Sequence, residues 1–411
     1  MKTLFPPIDF DEFHRDVLPL RIAAGNGALA ARAVSGLSPL AFRLPDGRAW
    51  TFVPGEDGVD VRPGVEGAGT LVDLSHAAWE LFVHEIRTLY RLYYTGELSF
   101  ARGDFDSLNA WEPALRTLFH GRPVFDPAAL DLRDRSGNPL DLHRAFTLDD
   151  DDAEMRHFLR EAGFLHVRGV FSRDEIARLC EEAGRLAQTA KPGDRNSWWA
   201  RTGSGETALC RVNYAGLASP RLGALEEDVR IRRLASLGGE VVRAVPDRMD
   251  GTFVLFKLPD AREGMADLPW HIDCGFGGHS VFCPSVLVGV QLDAATPETG
   301  QLLFVPGSWR TACRQVADPE SGGMPVVALE TGVGDCTVHM GDALHAAPSP
   351  KGAGPARRTL YVQFYHPAVF GVVEPGTGFN DVIFDQDAVV PKSRPEAPAP
   401  GAKPASAQVE A

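Results

Sequence analysis

Two side chains of metal-binding type stand two residues apart in the stretch LPWHIDCGFGGHS, residues 268–280. On a β-strand, side chains two apart project from the same face, so His271 and Asp273 could bind one ion together. The spacing alone is weak evidence, because it recurs at His14 and Asp16. That second pair falls in a predicted helix, where side chains two apart do not face each other. We therefore interpret His14 and Asp16 as structural residues.

A site of this kind needs a third ligand. Divalent iron in oxygenases is held by two histidines and one carboxylate on one face of an octahedron, which leaves positions open for other molecules. His345 ends an apolar-polar run and precedes a loop rich in Pro and Gly, which favours it as the third ligand. His339 lies six residues earlier in a predicted strand, and we interpret this alternative as a packed histidine. His279 is interpreted as a cavity-lining or surface residue.

Two adjacent arginines, Arg357 and Arg358, begin the strand predicted after that loop. A guanidinium can hold a carboxylate through two parallel charge-assisted hydrogen bonds, which indicates a dicarboxylate co-substrate. Alternate residues along the strand differ in character: Thr359, Tyr361 and Gln363 follow Arg357, whereas Leu360, Val362 and Phe364 follow Arg358. The pattern favours Arg357 as the residue in a polar cavity. Arg358 stays the alternative, because a shift of one residue exchanges the two faces.

The composition is that of a globular protein with room for two domains. The chain has 411 residues, of which 44% are hydrophobic and 23% charged, and single cores usually stop growing at about 250–300 residues. A net charge of −14 disfavours nucleic acid and anionic membranes as partners. Six cysteines without a Cys-x-x-Cys pair indicate neither a disulfide framework nor a thiolate zinc site.

We expect a small-molecule substrate and a cytoplasmic location. The first residues contain no apolar core of signal-peptide length. No segment approaches the roughly 20 apolar residues that span a bilayer. The sequence does not predict the oligomeric state.

The chain is predicted to be α+β and to have three parts. Residues 1–140 form a small α+β domain, with hairpin turns at Asp46-Gly47 and Asp57-Gly58 and one helix that has Asp73 or Ser75 as its cap and Gly96 as its stop. Residues 141–385 begin with two helices around a strand and continue as short strands between Gly and Pro turns, which is typical of a barrel or sandwich. Residues 386–411 are rich in Pro and Ala and lack aromatic residues, which predicts disorder.

Four stretches in this order resemble the phytanoyl-CoA dioxygenase family of non-haem iron(II), 2-oxoglutarate-dependent oxygenases. They are FLREAGFLHVRGVFSRDEIARL, FKLPD with LPWHID, ETGQLLFVPGSW, and GDCTVHMGDALHAAP with ARRTLY. The resemblance covers roughly residues 147–370. It implies a C-terminal double-stranded β-helix, a jelly-roll or cupin-like barrel with flanking helices. It also implies that His271, Asp273 and His345 bind Fe(2+), and that Arg357 binds the distal carboxylate of 2-oxoglutarate.

The resemblance implies further roles. Gln291 falls where family members often have an aromatic or polar residue that contacts the co-substrate, and Phe253 falls on a neighbouring strand position, so both are candidates for co-substrate binding. Ala347 stands where the family often has a small polar residue two after the distal histidine, so that contact is not expected here. Iron halogenases of related fold have a small residue where this chain has Asp273, which leaves room for chloride. The retained carboxylate implies hydroxylation of an unactivated C–H bond or a related two-electron oxidation, with O2 consumed and succinate and CO2 released.

The substrate region and the first domain leave alternatives open. The stretch RNSWWARTGSGETALCRVNYAG holds Trp199, Arg211 and Tyr214, which we interpret as a substrate wall, with packing under a long loop as the alternative. Residues 1–140 resemble sterol carrier protein-like domains, which implies lipid binding and a lipidic or acyl substrate; an ordinary core without ligand is the alternative. The alternative functions are an inactive lipid-binding or scaffold protein that retains the barrel, and a cupin-like metalloenzyme without a distal arginine.

Overall fold

The computed structural model describes residues 5–56, 58–239, 243–244, 251–259, 261–263, 268–273, 285–314, 316–351 and 356–371. Within these ranges the chain forms helices and three β-sheets, so the predicted mixed α+β class is confirmed. The predicted disordered tail, His279 and Asp57 lie outside the described residues.

The first unit is built on a sheet with the spatial strand order β3-β2-β1-β4-β5. Its strands are β1 (Leu40–Arg43), β2 (Ala49–Gly55), β3 (Gly58–Pro63), β4 (Thr70–Leu74) and β5 (Leu98–Arg102). Its helices are α1 (Phe10–Glu12), α2 (Leu18–Arg21), α3 (Gly27–Val34), α4 (His76–Val83), α5 (Leu89–Tyr94) and α6 (Phe105–His120), with π-helical turns at Phe13–Val17 and Ile22–Asn26. Strands β1 and β4 pair in parallel, so the chain crosses over between β3 and β4.

The single helix predicted between a cap at Asp73 or Ser75 and a stop at Gly96 is wrong, because the structure has two helices there, α4 and α5. The break lies at Glu85, whose φ of 55° places it in the left-handed region, a strain of about 1–3 kcal/mol for a residue other than glycine. The Glu85 carboxylate is buried and accepts a hydrogen bond of 2.8 Å from Nε of Arg116 in α6. A buried ion pair therefore offsets the strain.

Aromatic rings fill the space between this sheet and its helices. His14 is fully buried among them, with ring centroids 4.6 Å from Phe10, 5.4 Å from Trp79 and 5.5 Å from Trp50. Its Nδ1 lies 2.7 Å from the Phe10 carbonyl oxygen, to which a neutral imidazole can donate. Asp16 instead pairs with Arg15 at the surface. The second His-x-Asp pair is thus divided between core and surface.

The second unit contains a large sheet and a smaller one. The large sheet has the order β12-β8-β9-β11-β19-β14-β17-β7-β6, with β10 paired to β19, and the smaller sheet has the order β13-β18-β15-β16. The strands are β6 (Ala145–Phe146), β7 (Phe164–Val167), β8 (Ser197–Thr202), β9 (Thr207–Val212), β10 (Arg243–Ala244), β11 (Thr252–Lys257), β12 (Ala261–Glu263), β13 (Leu268–His271), β14 (Val286–Gln291), β15 (Leu302–Phe304), β16 (Val327–Leu329), β17 (Cys336–Met340), β18 (His345–Ala347) and β19 (Arg357–Tyr365).

Helices cover one face of the large sheet. They are α7 (Asp152–Ala162), α8 (Arg173–Thr189), α9 (Ala215–Ala218), α10 (Pro220–Gly223) and α11 (Val229–Gly238). Short 3-10 helices lie at Pro127–Ala129, Ala224–Glu227, Ser308–Arg310, Glu320–Gly322 and Pro367–Gly371. Ser172 caps α8 in a reciprocal capping box with Glu175, as its sequence predicts. No helix in the described part of the chain is both long and apolar enough to cross a bilayer.

The other face of the large sheet meets the smaller sheet. Phe164 in β7 stacks on Phe304 in β15, with ring centroids 4.7 Å apart. Phe304 in turn stacks on His345 in β18, with ring centroids 5.6 Å apart. Side chains from the two sheets therefore meet where the predicted metal ligands lie.

We predict that His14 makes folding depend on pH. Burial lowers the pKa of His14 from 6.5 to about 4. The unfolded chain binds this proton below pH 6.5, whereas the folded protein does not until about pH 4. The free energy of unfolding should therefore fall by about 3 kcal/mol as the pH drops through this window.

Equilibrium denaturation at several pH values from 7 to 4 measures this loss. His14→Leu should flatten the profile in this window, whereas His143→Gln, which changes an exposed histidine, should not. An unchanged profile in His14→Leu would contradict the prediction.

Candidate metal centre

Two neighbouring strands bring the three predicted ligands together. His271 ends β13 and His345 begins β18, and these residues lie directly opposite each other in the antiparallel pairing. Asp273 follows two residues after His271, and its backbone N–H donates to the Gly341 carbonyl oxygen at 2.8 Å. The carboxylate is thereby held beside the two imidazoles.

The donor atoms of His271, Asp273 and His345 all lie within 4.8 Å of one another. Nε2 of His271 is 3.5 Å from Oδ1 of Asp273, and Nε2 of His345 is 3.6 Å from Oδ2. Donors about 2.1 Å from one octahedral ion stand about 3 Å apart, so small movements would bring these atoms to such an ion. Two imidazoles and one carboxylate form the donor set of a facial iron site.

A third histidine contacts the carboxylate without belonging to this set. His339 in β17 is buried, and its Nε2 lies 3.0 Å from Oδ2 of Asp273. Its ring centroid is 4.7 Å from that of His345. The sequence interpretation of His339 as a packed histidine missed this hydrogen bond. The strand period predicts that His339 shares a face with Thr337, but only the pairing with β14 and β19 shows that Gln291 and Tyr361 occupy the same face.

The electrostatics of the cluster suit metal binding. Burial by itself would raise the pKa of the Asp273 carboxyl, but His345, His271 and His339 outweigh it and hold that pKa well below its usual range. Burial lowers the pKa of His345 to about 3. At neutral pH the carboxylate is therefore ionised and His345 is neutral, which are the protonation states of metal ligands.

The two arginines of β19 have different surroundings. Arg358 makes a bidentate ion pair with Asp293, with distances of 2.8 and 2.9 Å. Arg357 is 4% exposed and donates to the carbonyl oxygens of Thr299 and Gly300 at 3.1 and 2.7 Å. No carboxylate lies within ion-pair distance of Arg357 among the described residues. Burial lowers the pKa of Arg357 from its usual value, so this buried cation is suited to an incoming anion.

Polar side chains accompany Arg357 on the inner face. Gln291 in β14 lies opposite Thr359 in β19 and contacts both that hydroxyl, at 3.1 Å, and Nη1 of Arg357, at 3.4 Å. Lys257 in β11 lies directly opposite Arg357, is buried, and donates to the carbonyl oxygen of Ala347. Sequence reasoning missed Lys257, since a lone lysine in a strand carries no motif. The structure thus brings Gln291 to Arg357 and adds the buried amino group of Lys257.

Tyr361 lies between the arginine and the predicted ligands. It follows Arg357 by four residues on the same face, and Arg357 and Asp273 both act on the pKa of its hydroxyl, which burial raises to about 12. Its ring stacks on Phe253 with centroids 5.3 Å apart. A Cβ at Gly289 would come within 2.7 Å of the Tyr361 ring, so only glycine gives the ring its place over β14.

The predicted substrate residues are only partly brought together. Arg211 in β9 lies over the ring of Phe253 in β11, with its guanidinium carbon 3.7 Å from the Phe253 ring centroid and 4.6 Å from that of Trp198. Phe253 thus contacts Arg211 and Tyr361. Trp199 lies opposite Leu209 across a bulge, and its Nε1 donates to Ser197. The tryptophan stacked on Arg211 is therefore Trp198.

Tyr214 lies just beyond β9. It is buried, has a φ of 52° and immediately precedes α9. Like Trp199 and Arg211, it stays a prediction as a substrate residue.

Two histidines and one carboxylate are the donor set that non-haem iron oxygenases use. The family model "Phytanoyl-CoA dioxygenase (PhyH)" matches residues 159–359. The predicted resemblance to this family is confirmed over these residues. The predicted oxidoreductase class, dioxygenase, and the cofactors Fe(2+), 2-oxoglutarate and O2 are confirmed at the level of this family.

Solved structures also match the chain, whereas no curated protein sequence does. AviO1 from Streptomyces viridochromogenes Tue57 is 25% identical over 53% of this chain and 96% of its own, with a TM-score of 0.41. The non-heme alpha ketoglutarate dependent epimerase SnoN from nogalamycin biosynthesis is 25% identical over 55% and 90%, with a TM-score of 0.42. EctD from S. alaskensis with 2-oxoglutarate and 5-hydroxyectoine is 21% identical over 59% and 86%, with a TM-score of 0.42.

We predict that Mn(2+) affinity distinguishes the predicted metal ligand His345 from the neighbouring residue His339. Mn(2+) serves as a redox-inert substitute for iron. His345→Ala should abolish binding because it removes a donor. His339→Leu should weaken binding about 10–100-fold, the usual effect of losing a hydrogen bond to a metal ligand. His339→Gln, which keeps a donor for Asp273, should bind more tightly than His339→Leu.

Electron paramagnetic resonance titration of free Mn(2+) measures these affinities, with circular dichroism as the check on folding. Loss of binding in His339→Leu together with retention in His345→Ala would make His339 the third ligand instead.

Proposed function

We propose that the protein is an Fe(II)- and 2-oxoglutarate-dependent dioxygenase that hydroxylates an unactivated C–H bond of a small molecule and releases succinate and CO2. The observation that carries this proposal is the convergence of His271, Asp273 and His345 within 4.8 Å. A buried arginine without a carboxylate partner among the described residues supports the choice of a dicarboxylate co-substrate. The facing sheets support a double-stranded β-helix as the barrel.

The residues of this chain would divide the work. His271, Asp273 and His345 would hold the iron, which when bound supplies the oxidising chemistry with O2 and 2-oxoglutarate. The fixed guanidinium of Arg357 would orient the distal carboxylate, with Gln291 and Thr359 fixing the arginine. The apolar cluster of Phe253, Leu255, Leu287 and Tyr361 would exclude water on the large sheet.

Hydroxylation is the outcome that Asp273 favours. Its carboxylate would fill a coordination position that chloride needs in a halogenase. His339 gives the same carboxylate a hydrogen bond at 3.0 Å, which keeps it in place. A chlorinated product formed in the presence of chloride would contradict this part of the proposal, and so would an epimerised product without an added oxygen atom.

Lipid binding by the first unit stays a prediction. Two separate apolar cores, one within residues 10–119 and one within residues 146–364, support the division into a domain of residues 1–140 and a barrel of residues 141–385. Edge-to-face rings such as Phe13 against Trp79, at 5.4 Å, occupy the interior of the first unit.

The intact donor set disfavours the inactive scaffold. A cytoplasmic location is proposed on composition alone.

Anaerobic titration tests the proposed co-substrate. Protein mixed with Fe(2+) and 2-oxoglutarate should develop a metal-to-ligand charge-transfer band, and admission of O2 should yield succinate. Asp273→Ala should remove both signals while circular dichroism stays unchanged. A folded wild-type protein that gives neither signal would exclude the oxygenase.

The adjacent arginines offer a matched pair of variants for co-substrate binding. We predict that Arg357→Lys weakens the binding of 2-oxoglutarate about 30-fold, which corresponds to about 2 kcal/mol or more of binding free energy. The reason is that the substitution removes a bidentate partner of a buried carboxylate. Arg358→Lys should change this affinity less than 3-fold, because Arg358 already pairs with Asp293. Titration of the charge-transfer band measures both, and the reverse order would make Arg358 the anchor.

A further inference from the structure

Two arginines of the first unit contact a buried carboxylate, Asp342, that lies close in sequence to the predicted metal ligand His345. Asp342 lies in the turn between β17 and β18, three residues before His345, and its side chain is 1% exposed. Its Oδ2 accepts 2.9 Å from Nη2 of Arg116 in α6 and 2.7 Å from Nη1 of Arg122, which follows α6. Two guanidinium groups of the first unit therefore converge on a turn of the second.

That turn contacts a predicted ligand through its backbone. The carbonyl oxygen of Gly341, next to Asp342, accepts the backbone N–H of Asp273 at 2.8 Å. The backbone N–H of Leu344, next to His345, donates to Oγ of Ser308 at 2.8 Å. A displacement of Asp342 would therefore move the groups that hold Asp273.

Apolar packing joins the same parts of the chain. Ile272 lies between His271 and Asp273, and Leu344 precedes His345, so both point to the opposite side from the ligands. Ile272, 2% exposed, and Leu344, fully buried, belong to one cluster with Phe125 from the segment after α6. The backbone of this segment also pairs with the second unit, since the N–H of Phe125 donates to the Ala312 carbonyl at 3.1 Å. The outer side of the ligand strands is covered by the first unit and its connection.

The charges around Arg116 are balanced within one network. Nε of Arg116 donates to Glu85 at 2.8 Å, and the second nitrogen donates to Asp342. Glu112, one turn earlier in α6, is 2% exposed, and burial raises its pKa to about 7. Removal of the Asp342 charge would leave Arg116 and Arg122 without the acceptor that they share, which is costly in a buried site.

We infer that Arg116 and Asp342 are positioning residues of the metal centre, and that the first unit is a structural part of it. The ion pair holds the turn of residues 341–344 in the position in which the Gly341 carbonyl oxygen accepts the hydrogen bond from the backbone N–H of Asp273. This inference rests on the proposed function for the identity of the metal site, but it concerns the affinity of that site for a divalent ion and not the reaction.

The test uses the full chain and compares two isosteric variants. Each variant removes one of the two carboxylates with which Arg116 forms an ion pair. Asp342→Asn should weaken Mn(2+) binding about 10–100-fold, the range found when outer partners of metal ligands are lost. Glu85→Gln removes the other partner of the same guanidinium and should lower the melting temperature with less than a 3-fold change in Mn(2+) affinity. Equal effects of the two variants on Mn(2+) affinity would overturn the inference.

A milder variant keeps the test decisive if Asp342→Asn does not fold. Arg122→Gln removes one of the two donors to Asp342 and leaves Arg116 in place, so it should weaken Mn(2+) binding by a smaller factor, about 3–10-fold. An unchanged affinity in Arg122→Gln and in any folded Asp342 variant would overturn the inference.

Spectroscopy separates this inference from the proposed function. In Co(2+)-loaded protein, Asp342→Asn should change the d–d absorption of the site, whereas Glu85→Gln should not. A wild-type protein that binds Mn(2+) but forms no succinate would contradict the proposed function alone. A wild-type protein that forms succinate, with an Asp342→Asn variant of unchanged metal affinity and spectrum, would contradict this inference alone.

Discussion

The structure of the candidate site depends on keeping the Asp273 carboxylate ionised although most of its side chain is removed from water. Burial opposes the charge, and three imidazoles outweigh it, of which His339 gives the shortest contact at 3.0 Å. These imidazoles come from three strands in two sheets, so the two sheets must face each other for the carboxylate to be satisfied. The stacking of Phe164, Phe304 and His345 supplies that packing. A bound metal ion would stabilise the charge of the Asp273 carboxylate by direct coordination, in place of the imidazole contacts.

Strand periodicity made one part of this arrangement predictable. Alternation along β19 favoured Arg357 for the cavity, and the structure buries Arg357 while Arg358 pairs with Asp293. The convergence of His271 with His345 followed from the family resemblance, because nothing in the spacing of residues 74 positions apart specifies that β13 and β18 pair. The role of Lys257 could not be predicted, since it arises only from its register opposite Arg357. Pairing between strands distant in sequence is information that a single chain does not display.

The first unit shows why a local pattern can mislead. Apolar residues at helical spacing predicted one helix, but the chain breaks at Glu85 because that carboxylate pairs with Arg116, 31 residues later. Helical propensity is a weak preference of less than about 1 kcal/mol per residue, whereas an unpaired buried guanidinium costs several. A tertiary ion pair therefore overrides the local pattern. The same arginine contacts Asp342, 226 residues later, which no local pattern could reveal.

The buried charge of Arg116 links the helix break at Glu85 with the contact to Asp342. Arg116 requires acceptors on both sides of its guanidinium, and one acceptor, Glu85, comes from the strained break between α4 and α5, while the other, Asp342, comes from the turn before His345. If the first unit were an independent carrier domain, neither a strained helix break nor a buried acidic turn would be needed at this boundary. A surface boundary between independent domains is usually polar and solvated. The buried ion pairs, together with the packing of Phe125 on Ile272, instead favour two units that fold against each other, with the ligand strands as the shared element.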